Sequence, residues 1–110
     1  MTRIDIAKAD GEFSLLCQGH AGYASVGNDI VCAAISTLTQ TLIKYMMDRD
    51  IPCNYKVSTG YLWIYGKDCI EAFDAIVAGL EMIEYSYPQY VEITKGCTIF
   101  IDTSCDVIDT

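Results

Sequence analysis

The chain has a single histidine, a single tryptophan, and only 7 Lys and Arg against 15 Asp and Glu. The formal net charge of −8 leaves nothing that resembles a basic groove, which argues against direct contact with nucleic acid. Acidity of this size keeps a protein soluble, or draws a basic partner toward it. No apolar run reads as long enough for a membrane span. The opening residues alternate polar and apolar instead of forming a signal peptide. The expected setting is cytoplasmic, away from any membrane. There is also no Cys-x-x-Cys pair. The six cysteines, Cys17, Cys32, Cys53, Cys69, Cys97 and Cys105, are therefore expected as free thiols, most of them small core residues. Cys17 and His20 have a Cys-x-x-His spacing, but a structural zinc needs four ligands in paired spacing. No metal and no organic cofactor is assigned. Repeats, linkers and low-complexity stretches are missing as well.

What remains is a chain of 110 residues, 52% apolar, expected to form one domain over residues 1–110 with a modest core. Residues 3–9 read as a strand with Ile4 and Ile6 on one face. Asp10-Gly11 is a hairpin signal, and Glu12–Gln18 returns as a second strand. Val31, Ile35, Leu38, Leu42 and Met46 recur at helical steps, so a helix is expected from Asp29 or Ile30 to near Arg49, with Pro52 beyond it. Residues 53–59 and 61–65 read as strands about Gly60. Tyr61, Trp63 and Tyr65 share a face that serves as a peptide groove or subunit interface, or else packs on a helix. Asp68 is expected to cap a second helix running to about Tyr85, with Ile70, Phe73, Leu80 and Ile83 in its buried stripe. Residues 91–102 read as a last strand or strand pair, with Gly96 as a break or bulge. Residues 103–110 are polar and expected to fray. The order β-β-α-β-β-α-β gives an α+β fold: a mainly antiparallel sheet with two helices packed on one face. The other face is left to be covered, which fits a homodimer.

One stretch carries chemistry. Gly19-His20-Ala21-Gly22 ends the second strand, and Gly27-Asn28-Asp29-Ile30-Val31-Cys32-Ala33-Ala34-Ile35-Ser36 opens the first helix. Asn28 and Asp29 are good N-cap residues, so Cys32 falls in the first turn. Free N–H groups and the positive end of the helix dipole favour a thiolate there and can hold an oxyanion. The loop between is long enough to fold the imidazole back onto the sulfur. Its glycines and small residues offer few packing anchors, so it is expected to be mobile. Ser36 lies one turn beyond Cys32, and its hydroxyl is expected to bond back to the helix backbone.

Gly-His-Ala, then Gly-Asn-Asp-Ile-Val-Cys-Ala-Ala, then Ser36, resembles the signature of the ribosomal-processing cysteine protease family, Prp. The resemblance includes the His-to-Cys spacing, the chain length and the element order. Members remove an N-terminal extension from a bacterial large-subunit ribosomal protein. The resemblance implies a cysteine endopeptidase with Cys32 as nucleophile and His20 as general base. It implies a ribosomal protein precursor as peptide substrate, and a homodimer. Gly19, Gly22, Gly27, Asp29 and Ser36 are taken as supporting or substrate-contacting positions. Asp29 is open between helix cap, substrate contact and orienter of His20. The alternatives are a non-catalytic binding module for a ribosomal or viral structural precursor, and a redox-sensing thiol protein built on Cys32.

Overall fold

Asp10 and Gly11 both take positive φ, 52° and 80°. This is the mirror-image turn whose twist suits a two-residue hairpin. It joins β1 (Thr2–Ala9) to β2 (Glu12–Gln18). The structure, a computed structural model, describes residues 1–25 and 27–103. Along the chain follow α1 (Ile30–Asp48), β3 (Cys53–Ser58), β4 (Tyr61–Lys67), α2 (Ile70–Ser86) and β5 (Val91–Gly96). The element order and the α+β class are those read from the sequence.

The strands form one five-stranded sheet in the order β3-β4-β2-β1-β5. Every neighbouring pair is antiparallel except β1 with β5, which is parallel. It follows that β2 and β3 run parallel with β4 between them, and β4 and β5 run parallel across β2 and β1. Each pair is joined by a helix. The two crossovers start from strands of opposite direction and step in opposite directions across the sheet. The single hand that such connections take then puts both helices on one face.

Period-two alternation supplies the matching apolar surface. Ile4, Ile6, Phe13, Leu15, Leu62 and Ile64 share one core with Val31, Ile35, Leu42, Met46, Phe73, Val77 and Leu80 of the helices. At 19 residues α1 is long and apolar enough to cross a membrane by length and composition, contrary to the expectation from the sequence. Core helices pass the same test, and here the stripe from Val31 to Met46 is buried against sheet and α2.

Three expectations need correction. Asp68 does not cap α2. It sits in the left-handed region at φ 64°, its N–H donates to the Gly11 carbonyl at 3.3 Å, and the cap position falls to Cys69 with no side-chain bond. The positive φ turns the chain so that Cys69 enters the core. The last strand ends at Gly96 rather than running to residue 102. The third concerns the aromatic face. Trp63 is fully buried, yet neither a helix nor an open groove lies over it. Residues 97–103 cross that face as a strap. The Phe100 N–H donates to Ser14 Oγ at 2.9 Å, the Trp63 indole N–H donates to the Phe100 carbonyl at 2.9 Å, and the Tyr61 hydroxyl bonds Asp102. A face that a second copy was expected to cover is thus partly covered by the chain itself. The expected fraying beyond residue 103 falls outside the described residues.

Because Trp63 is the single tryptophan, its emission comes from the one indole beneath the strap. Ending the chain after Gly96 should shift that emission to the red and cost about 1–3 kcal/mol in denaturant melts. Unchanged emission would show that the strap does not shield the indole.

Candidate active site

The first turn of α1 is built around one carboxylate. Asp29, the N-cap residue, is 7% exposed. Its Oδ1 accepts the Val31 and Cys32 N–H groups at 2.9 and 3.0 Å. Its Oδ2 accepts Tyr23 and Ala24 N–H at 3.0 and 3.3 Å. Burial by itself raises this carboxyl, but the backbone N–H groups of Cys32, Ala24, Tyr23 and Val31 outweigh burial. The net result lies below the ordinary aspartate range. Of the three openings left by the sequence, the geometry makes Asp29 a helix cap that also holds the preceding loop. It makes no hydrogen bond to His20 among the described residues.

The same bonds alter the reading of the helix start. The Val31 and Cys32 N–H groups are taken by the Asp29 side chain, and the Ala33 N–H donates to the Asp29 carbonyl at 3.0 Å. The expectation from the sequence that these donors are free to hold an oxyanion is therefore corrected: Asp29 takes all three. A different one is aimed at the sulfur: the Ala21 N–H donates to Cys32 Sγ at 3.3 Å.

The loop is also better anchored than its composition suggests. Ala21 is buried. Tyr23 and Ala24 hang on Asp29. The Tyr23 ring meets Tyr87 and Tyr90 edge-on, with centroids 5.5 and 5.4 Å apart. Gly22 and Gly27 take positive φ with open space around them, so turn geometry accounts for both. Gly19 is more constrained. A Cβ there would lie 2.6 Å from the Met1 carbonyl oxygen.

His20 and Cys32 line one cleft of about 240 Å³, with Gly19, Ile35, Ser36, Thr39 and Gln40 on one side and residues 57–62 on the other. Among the described residues, no Asp, Glu, Lys or Arg lines it.

 The described lining thus carries no carboxylate, ammonium or guanidinium group. His20 is exposed and makes no hydrogen bond to Cys32 among the described residues; its ring lies against Gly60 instead. The Ser36 hydroxyl does not bond back to the helix, as its neighbours Thr37 and Thr39 do, and lies exposed on the cleft wall.

The other thiols are set apart by burial. Burial, with Asp5 adding to it, pushes Cys17 up to about 12, and burial also raises Cys53 and Cys69. Cys97 is exposed, and Cys105 lies outside the described residues. Among the described residues no group of three or more His, Cys, Asp or Glu is arranged to hold a metal. The residues that sequence reasoning missed are those of the β3–β4 turn. Nothing local marks them, because they reach His20 only through the pairing of Gln18 with Tyr61.

Substitution of Asp29 separates its two tasks. Asp29→Asn keeps one oxygen for the helix and turns an amide toward the loop N–H groups, whereas Asp29→Ala loses both sets. The alanine variant should lose about 1 kcal/mol or more from the cap alone. The sign with pH follows from the depressed carboxyl. Its contribution is complete above the ordinary aspartate value of about 4 and is lost as pH falls through the lower folded value. The stability gap between the wild type and Asp29→Asn should therefore shrink on acidification. Denaturant melts across pH measure it, and a constant gap would rule out the carboxylate as the source.

No curated protein matches the chain. Solved structures of the same fold include the ribosomal processing protease Prp of S. aureus, in complex with a covalently linked product peptide. It has 21% identity and a TM-score of 0.80, over 87% of this chain and 100% of that one. The same S. aureus protease in complex with a substrate peptide gives 20% identity and a TM-score of 0.74, over 87% and 100%. A Streptococcus mutans protein gives 22% and 0.68, over 89% and 96%. At these identities the likeness is one of fold. A family model described as cysteine protease Prp matches residues 1–92, so the strap at 97–103 lies beyond the matched region. With most of its length matched by that model, the chain belongs to the Prp family of cysteine proteases.

Proposed function

We propose that this cysteine protease removes the N-terminal extension of a bacterial large-subunit ribosomal protein, with Cys32 as nucleophile and His20 as general base. The observation that carries the reading is the shared cleft. The one imidazole of the chain and the thiol in the first turn of α1 line the same cavity, with a backbone N–H aimed at the sulfur. The S. aureus structures with substrate and product peptides support a peptide as the ligand of this fold.

In this reading His20 takes the proton from Cys32, and the sulfur attacks the scissile carbonyl. The Ala21 N–H is the donor within reach of the developing oxyanion. Protonated His20 then gives its proton to the leaving amine, and water releases the acyl group. The His20–Cys32 hydrogen bond forms only as substrate seats, since such bonds are often long in an unliganded enzyme. The described lining, without carboxylate, ammonium or guanidinium groups, suits an uncharged segment around the scissile bond, while the net charge of −8 attracts a basic precursor at longer range. Gly19, Asp29 and the loop hold the two groups in place. Ser36 is available to the substrate from the cleft wall. A reduced thiol is needed throughout, which fits the cytoplasm. A homodimer belongs to the same reading. Its apolar surface is on the helical layer, where Met82 is 71% and Tyr85 89% exposed.

Cys32→Ala should abolish cleavage of a precursor peptide, read by mass, with an unchanged circular dichroism spectrum. His20→Ala should lower the rate by roughly 10²–10⁴-fold. A folded, fully active His20→Ala protein would remove the dyad. Alkylation followed by peptide mapping gives a second check. Cys32 should label faster than the more exposed Cys97, and Cys17, Cys53 and Cys69 slowest, because burial disfavours their thiolates. If Cys32 trails Cys97, the activated thiol is refuted.

A further inference from the structure

Two hairpin turns in this fold carry a glycine with positive φ, and their surroundings differ. At Gly11, φ 80°, an added Cβ would meet nothing within 4 Å. Turn geometry is the whole requirement there. At Gly60, φ 70°, an added Cβ would lie 3.1 Å from Nε2 of His20, 3.5 Å from Cε1 and 3.7 Å from Cδ2. The edge of the imidazole therefore rests on the bare Cα of this turn. The backbone next to the histidine is tied to the same residue, because the Gly19 N–H donates to the Gly60 carbonyl at 2.9 Å. On its other side Gly19 is pressed against the Met1 carbonyl. The segment bearing His20 is held between the chain start and the β3–β4 turn, and both Gly60 and His20 line the cleft with Cys32.

We propose that Gly60 is a positioning residue for His20: its lack of a side chain and its bond to Gly19 set where the imidazole stands relative to Cys32. This rests on the reading of His20 as general base. A methyl group at position 60 would press on Nε2, the ring atom nearest to it, at a distance that forces the ring to move by a few tenths of an ångström. Proton transfer is sensitive to displacements of that order, since misplacement by about 1 Å can cost 10²-fold.

The two glycines supply their own control. Gly60→Ala and Gly11→Ala carry the same backbone strain from an L side chain at positive φ. Only the first touches His20. With a single histidine in the chain, its Cε1–H gives one NMR signal, and its titration needs no assignment by mutation. We expect Gly60→Ala to shift that signal and its titration midpoint and to lower kcat/KM on the precursor peptide about tenfold, mainly through kcat. Gly11→Ala should lower Tm to a similar extent and leave the signal and kcat/KM as in the wild type. If Gly60→Ala does not fold, Gly60→Asn carries the same Cβ on a residue that tolerates the left-handed region. An unmoved His20 signal in a folded Gly60 variant overturns the proposal. So does an equal shift in Gly11→Ala, which would mean that strain alone reaches the ring. A moved signal with unchanged cleavage supports the positioning role and overturns the general-base reading, so the two can fail separately.

Discussion

The site depends on one buried carboxylate. Asp29 accepts four backbone N–H groups, two from the helix that carries Cys32 and two from the loop that follows His20. A neutral side chain at this position could satisfy two of those donors, but not all four with the same two atoms. The carboxylate offers acceptor capacity on both oxygens, and the four donors explain how it stays ionised despite burial. Since the helix N–H groups are spent on Asp29, the field at the sulfur comes from the remaining dipole of the helix and from the Ala21 N–H. A residue that caps a helix thereby also decides which backbone donor faces the thiol.

The sheet completes the cleft from the other side. Pairing of β2 with β4 sets Gln18 opposite Tyr61, and the turn before Tyr61 then stands beside His20. The wall it contributes, with Ser58 and Thr59, is uncharged. Apart from Asp29, the charged pairs of this protein lie at its periphery. The ion pairs from Lys8 to Asp74, Lys44 to Asp48 and Lys95 to Glu81 are all on the surface, where such pairs contribute little to stability. The strap at 97–103 belongs to the opposite face. It shields Trp63 with main-chain bonds from Phe100, so the shielding depends on the path of the chain more than on the Phe100 ring, which is 43% exposed.

Taken alone, the sequence determined the element order, the hairpin at Asp10-Gly11, the helical stripe of α1 and the position of Cys32 in its first turn. These follow from local rules: period, cap residues and turn chemistry act within a few residues of one another. It also brought His20 and Cys32 together, through their spacing and the family resemblance. Tertiary structure alone decided the rest. The order β3-β4-β2-β1-β5 depends on non-local pairing that no short window encodes. Asp68 reads as a cap locally, but its backbone is drawn into the left-handed region beside Gly11. The aromatic face of β4 reads as open because its cover arrives from a segment 37 residues further on. Gly60 reads as an ordinary turn glycine. It meets His20 only once two distant strands pair, because contacts across a sheet are fixed by register, not by sequence separation.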